Sequence, residues 1–389
     1  MRSPTELIER LVELEPLAAE QPGRVRVVQA PGRVNLIGEH TDYNGGFVLP
    51  TAVDLGIAIA LVPTDDRRVE LTRLDTGEQG SVDLDAIEPA SGHWSDYVAG
   101  TAWAMQAAGL PTTGFRGVIG SDLPAGAGLA SSAALELATA WALSGGKRPP
   151  ADPMSLARLA QRAENEHVGV ACGLMDQFAV VFGMAGHALL LDCRSLDNRA
   201  VPLPAETRLV ICDSGAPRSL ASSAYNARRA ECERAVDTLR EIEPGVRDLR
   251  DVTAALLEAG RPRLDDVAYR RARHVVTENA RVLATVDAMA GGDLAAVGAA
   301  FAASHRSLGD DFEVSSPALD ALVDIAATVR GVIGARLTGA GFGGCTVNLV
   351  HEGAVDALRL AIESRYPSRT GLTPRVLEVV AADGAGRAG

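Results

Sequence analysis

The stretch APGRVNLIGEHTDYNGGFVLP, Ala30–Pro50, puts Arg33, Asn35, Glu39, His40, Asp42, Tyr43 and Asn44 into a dozen positions. Pro31, Gly32, Gly38, Gly45 and Gly46 punctuate it, Val25–Val28 precedes it and Phe47–Leu49 closes it. Mixed polar groups between two strand-like runs, with glycines permitting unusual backbone angles, read as a loop held on a rigid frame. A solvated hairpin turning at Asn44-Gly45 would need only one or two of these side chains.

Around this stretch, 389 residues suggest two large domains or two to three smaller ones. Hydrophobic residues make up 47%, so a sizeable core is expected, and with aromatics at 4% that core is aliphatic. The net charge of −13 argues against nucleic acid as a general partner, but a local site can still take a small anion. Five scattered cysteines without a C-x-x-C pair read as small buried hydrophobes in a reducing compartment. The first residues lack an apolar signal core and no run is long enough to span a bilayer, so a cytoplasmic protein is expected.

The chain alternates strand-like and helix-like segments. Ser3-Pro4-Thr5-Glu6 reads as a capping box opening a helix with Leu7, Leu11 and Leu14. Strands follow at Val25–Val28, Leu55–Val62 and Val69–Leu74, then a helix at Trp94–Ala108 and a strand at Phe115–Ile119. Ala133–Leu143, apolar all round except Glu136 and Thr139, is a buried helix. Helices at Pro153–His167 and Leu174–Phe182 and a strand at Ala188–Leu191 complete the first half, with the domain boundary near Pro202–Thr207. The second half opens on Leu209–Cys212 and a long helix from about Leu220, and strands at Gly334–Val350 and Arg375–Val380 lie towards its end. Ala381–Gly389 reads as a frayed tail.

Three features carry chemistry. The G-x-x-x-x-G-K-[ST] phosphate loop is absent, and the one G-x-G-x-x-G, at Gly339, Gly341 and Gly344, runs into the strand-like CTVNLV. GAGFGG therefore reads as backbone that approaches another segment closely. Pro124–Ser132 leads small residues straight into the buried helix. Free N–H groups there form an anion site, or Ser131 and Ser132 are plain caps, and composition leaves both open. Glu164 falls on the buried face marked by Leu156, Leu159, Ala160 and Ala163. It needs a cation such as Mg²⁺, or an Arg partner such as Arg158 or Arg162. Asp176, within LMDQFAVVF, is a carboxylate among apolar residues, suited to a general base or to capping after Gly173.

With these residues laid out, the chain resembles the galactokinase family of the GHMP small-molecule kinases. Gly32–Asn44 matches the family's N-terminal motif. Gly128-Leu129-Ala130-Ser131-Ser132-Ala133 matches the phosphate loop, with Ala130 where Ser is usual. Cys172–Phe178 matches the catalytic segment, Ser304–Leu308 with Asp310–Ser315 a further run, and Thr338–Thr346 the third superfamily motif. The resemblance implies a two-domain α/β (α+β) GHMP kinase fold, residues 1–204 and 205–389, mixed sheets with helices and the site in the cleft. It implies ATP-dependent phosphorylation of the C1 hydroxyl of galactose, the first step of galactose breakdown, by a monomer. Asp176 would be the base, and Arg33 would pair with it and stabilise the transferred phosphoryl group. Glu39, His40, Asp42, Gly173 and Tyr225 would read the sugar, together with Arg33 and Asp176. Gly126, Ala127, Gly128, Leu129, Ala130, Ser131 and Ser132 would cradle the phosphates of ATP, with Trp94 and Tyr97 by the adenine. Ser132 and Glu164 would hold Mg²⁺. Other readings are a kinase for N-acetylgalactosamine or arabinose, and a galactose sensor without catalysis.

Overall fold

A computed structural model describes residues 3–124, 126–216 and 221–388. Ala125 of the phosphate-loop stretch, the expected helix start at Leu220 and the terminal Gly389 lie outside the described residues.

The strands in chain order are β1 (Arg26–Asn35), β2 (Phe47–Val48), β3 (Pro50–Pro63), β4 (Arg68–Arg73), β5 (Gln79–Asp83), β6 (Phe115–Ser121), β7 (His187–Asp192), β8 (Asn198–Pro202), β9 (Thr207–Asp213), β10 (Val332–Leu337), β11 (Cys345–His351), β12 (Arg375–Val379) and β13 (Gly386–Arg387). They form a six-stranded sheet in the order β13-β1-β3-β6-β4-β5, a four-stranded sheet β10-β11-β9-β12 and a three-stranded sheet β2-β7-β8. β4 and β6 run parallel, joined through β5 and the helix Asp96–Ala107, and every other pair is antiparallel. Mixed sheets covered by helices match the expected α/β class.

Period-two alternation explains how β3 serves two cores. Ile57, Ile59 and Leu61 face the main core with the buried helix Ser131–Leu143. Ala58, Ala60 and Val62 face Leu7 and Leu11 of the helix Pro4–Leu14. The main core runs on into the second half through Leu209, Ile211, Val347, Leu349 and Phe301. The other face of the four-stranded sheet (Val210, Cys212, Val350) packs on the helices Pro317–Ala327 and Val355–Thr370.

Several expectations are corrected. β1 continues to Asn35, so the opening stretch is strand up to that residue and loop only from Leu36 to Gly46. Ser3 makes no capping hydrogen bond, although proline does occupy the first helical position. The helix from Pro153 ends at Arg162 and continues as a π-helical turn, Ala163–Val168, stopped by Gly169 at φ 89°. The tail is not frayed over its described length, because Ala381 bridges to Val53 and Gly386–Arg387 pairs with Gln29 and Val28. β5 and β8 carry too few apolar residues to stand out in the sequence.

Candidate active site

The turn before Ser131–Leu143 is built to leave its amides free. Gly126 and Gly128 have φ of 71° and 78°, and Ala130 takes φ 58°, a left-handed angle unusual for a residue with a Cβ. Ala130 is the helix N-cap and offers no side-chain cap. Ser131 and Ser132 are therefore the first two helical residues rather than caps, and the N–H groups of the first turn are left for a ligand. Ala127 and Leu129 point into the core, so they can offer only backbone.

β1 locks this loop in place. The Arg33 amide donates to the Leu129 carbonyl at 3.1 Å, and Arg33 Nη1 donates to the Gly128 carbonyl at 2.6 Å. A Cβ on Gly32 would lie 2.7 Å from the Leu129 oxygen, so only glycine allows the approach. The rest of the guanidinium forks onto Asp176, Nε to Oδ1 at 2.8 Å and Nη2 to Oδ2 at 2.6 Å. Asp176 lies in the first turn of the helix Met175–Phe182, and its carboxylate is taken by Arg33 rather than by capping. One arginine thus ties the phosphate loop to the candidate base.

The loop Leu36–Gly46 is held largely by the second half of the chain. Glu39 is buried and pairs with Arg336 of β10, and it also accepts the Gly339 amide at 3.2 Å. Arg336, fully buried, donates to the carbonyls of Asn35 and Leu36 at 3.3 and 3.0 Å. The Gly38 amide donates to Glu278 at 3.0 Å. Burial pushes the Glu39 carboxyl up against the pull of Arg336. His40, at φ 63°, has its pKa pushed down to about 3 by burial and by His274, so its ring is neutral. Nε2 donates to the Ala340 carbonyl at 3.2 Å and Nδ1 accepts from the Tyr43 hydroxyl at 2.9 Å. Asp42 stands beside Gly173, where a Cβ would fall 1.8 Å from its Oδ2. Burial and the charge of Asp176 raise Asp42 to about 6.

Glu164 has no Arg or Lys partner among the described residues. Arg162 is spent on Glu166 at 3.0 Å. Glu164 instead accepts from Gln177 Nε2 at 2.7 Å and from the Cys172 thiol at 3.5 Å, and it hydrogen-bonds Ser132. Burial and Asp176 raise it to about 7. A buried carboxylate beside a serine hydroxyl, with no cation to balance it, is a fitting donor set for a hard divalent ion.

These side chains surround one cavity of about 390 Å³. Its lining contains Arg33, Glu39, His40, Asp42, Gly173, Asp176 and Tyr225 at one side, and Gly126, Gly128, Ala130, Ser131, Ser132 and Glu164 at the other. Gly339 and Ala340 close it, and Gly341 packs so tightly on Val314 that a Cβ would lie 2.3 Å from its carbonyl. Trp94 is absent from this cavity. It lines a second one of about 290 Å³, which shares Tyr97, Ser131 and Ser132 with the first. The Trp94 Nε1 donor is buried without a partner. Sequence reasoning missed Arg336, Glu278 and Gln177. A lone Arg in the strand VIGARL was a signal of the same kind that singled out Asp176. No helix among the described residues is long and apolar enough to cross a membrane.

Comparison with known proteins agrees with this geometry. The galactokinase galactose-binding signature matches residues 17–63, the GHMP kinase N-terminal domain residues 96–184, and the GHMP kinase C-terminal domain residues 285–368. The galactokinase of Roseiflexus sp. (strain RS-1) is 48% identical over 361 residues, 93% of this chain and 92% of that protein. The galactokinase of Chloroflexus aggregans is 45% identical over 92% of each chain. Among solved structures, Lactococcus lactis galactokinase complexed with galactose superposes with a TM-score of 0.90 at 34% identity, covering 97% of this chain and all of that one. A mevalonate kinase at 20% identity and TM-score 0.64 shares the fold. The chain therefore belongs to the galactokinase family of the GHMP kinases, enzymes that phosphorylate small molecules at the expense of ATP.

Proposed function

We propose that this protein transfers the γ-phosphoryl group of ATP to the C1 hydroxyl of galactose. The observation that carries the reading is the single Arg33 guanidinium shared between Asp176 and the Gly128 carbonyl of the phosphate loop. Asp176 would take the proton of the C1 hydroxyl as its oxygen bonds to the γ-phosphorus and the bond to ADP breaks. Arg33 orients that carboxylate and faces the charge that spreads over the transferred group. Glu39, His40, Asp42, Gly173 and Tyr225 would fix the sugar, since hydroxyls left unpaired in the site penalise a wrong epimer. The backbone of Gly126–Ser132 would hold the phosphates, with the base of ATP in the cavity of Trp94 and Tyr97. Ser132 and Glu164 would hold Mg²⁺, which when bound neutralises phosphate charge. Among the described residues no three acidic, His or Cys side chains form a cage, so phosphate oxygens would complete its shell.

A boundary at residues 204 and 205 is supported by sheet membership: β9 opens the four-stranded sheet, and among the described residues the second half returns to the first sheet through β13 and the Ala381–Val53 bridge. Five cysteines without disulfides support a reducing, cytoplasmic setting, and the protein would act as a monomer. The test is ADP release across a sugar panel by wild type and Asp176→Asn. Galactose-dependent release that Asp176→Asn abolishes is expected. Wild-type turnover by that variant would refute the base, and better use of N-acetylgalactosamine would refute the substrate.

A further inference from the structure

Glu136 has no part in the chemistry above, yet it sits fully buried in the middle of Ser131–Leu143. It does not line the cavity, so it is not itself a ligand to anything bound there. It lies four residues after Ser132, on the same helical face. Gln177, also fully buried, follows Asp176 directly. The Gln177 Nε2 group donates at once to Glu164 Oε2 at 2.7 Å and to Glu136 Oε2 at 3.3 Å. The same Nε2 also reaches Cys172 Sγ at 3.8 Å. Glu136 Oε1 and Gln177 Oε1 have no partner, and no Arg or Lys pairs with Glu136 among the described residues. Burial and Glu164 hold the Glu136 carboxyl well above its ordinary range.

For stability alone this is a poor arrangement. A buried carboxyl with an unpaired oxygen costs free energy, and a leucine of similar size would serve the core better. The amide that Glu136 holds is the same amide that holds Glu164. We propose that Glu136 and Gln177 are positioning residues that fix Glu164 for the divalent cation, coupling the phosphate-loop helix, the π-turn and the helix of Asp176 through one side-chain amide. Glu164 sits on the π-turn, an irregularity frequent at functional sites, and the Gln177 amide ties that turn to two regular helices.

The inference rests on Ser132 and Glu164 being the cation ligands, and the experiment separates the two. Mn²⁺ affinity in the presence of ADP is measured by electron paramagnetic resonance, alongside the thermal midpoint of the ligand-free protein. Glu136→Leu and Gln177→Leu should weaken Mn²⁺ about 10- to 100-fold, the usual range for a second layer around a metal. Glu136→Leu should do so with its midpoint unchanged or raised. Glu136→Gln should stay within about threefold of wild type, because its amide oxygen can still accept from Gln177. Wild-type affinity in both leucine variants, with affinity lost in Ser132→Ala and Glu164→Gln, would overturn the positioning role alone. So would Glu136→Gln losing as much as Glu136→Leu. Wild-type affinity in Ser132→Ala and Glu164→Gln would overturn the ligand assignment and this inference with it.

Discussion

Gly173→Ala tests how the sugar end of the cavity is built. The new Cβ would stand 1.8 Å from Asp42 Oδ2 and 2.3 Å from its Cγ. Ordinary contact begins near 3.4 Å, so the carboxylate must move by about 1.6 Å. The atoms that must give way are the end of a side chain, not backbone, so the fold can absorb the change. The cost falls on recognition: a hydrogen bond from a sugar hydroxyl to a carboxylate contributes about 1.5–3 kcal/mol, which is roughly 10- to 150-fold in affinity. Steady-state kinetics should show galactose KM rising by that factor while ATP KM stays within about twofold. The thermal midpoint should fall by less than about 3 °C. An unchanged galactose KM would mean that Asp42 does not read the sugar, and an equal rise in both KM values would mean that Gly173 serves the fold rather than the site.

Arg33→Lys leaves one cation where three hydrogen bonds stood. The turnover number should fall by about 10²-fold or more with galactose KM little changed, and a wild-type turnover number would refute the shared-arginine reading. Gly32→Ala places a Cβ 2.6 Å from Leu123 Cδ2 and 2.7 Å from the Leu129 carbonyl. Because backbone cannot yield cheaply, ATP KM should rise about tenfold and the thermal midpoint should drop; a silent substitution would show that the loop is not braced on β1. The contribution of His40 and His274 to stability should fall as pH drops from 7 to 4, against the opposite contribution of the raised carboxyls Glu39, Glu136 and Glu164. The unfolded chain protonates His40 and His274 near their ordinary 6.5, while the folded chain keeps them neutral down to about 3 and about 4. Asp42, raised to about 6, opposes this between pH 4 and 6, because there the folded chain binds its proton more tightly than the unfolded chain. Urea midpoints of Asp42→Asn should therefore drop relative to those of wild type on acidification from pH 6 to 4, and a constant difference would refute the raised pKa of Asp42.

What the sequence could show followed from how local each signal was. Ala133–Leu143 is apolar on every face, and its burial needed no partner to be known. Asp176 stood out because a charge in an apolar run must have a reason, and Arg33, 143 positions away, turned out to supply it. The sugar-loop residues were legible as a dense set, but their support was not. Glu39 looks like a free hydroxyl reader until Arg336 and Gly339, about 300 positions later, are seen on its carboxylate. The strand β1 hid its own length, since Pro31, Gly32 and Asn35 are poor strand formers that only the pairing with β3 keeps extended. The π-turn at Ala163–Val168 has no period that a sequence reading can detect, yet Glu164 is buried there as its spacing from Ala160 implied.

That dependence on distant residues bears on how the two halves work together. Much of the support of the sugar loop comes from beyond residue 205, although the Cys193 amide donates to the Gly46 carbonyl and Gly173 lies against Asp42 within the first half. Thr338 brackets Asn35 at both amide and carbonyl, Glu278 takes the Gly38 amide, Arg336 holds Glu39 and Asn279 takes the Phe47 amide. The phosphate loop, in contrast, is braced by β1 within the first half. Glu39 and Arg336 are both buried, so neither can be left without the other at small cost. Within the cavity lining, Glu39 and His40 are held by Arg336, Gly339 and Ala340 of the second half, whereas Arg33, Asp42, Gly173 and Asp176 are set by contacts within the first.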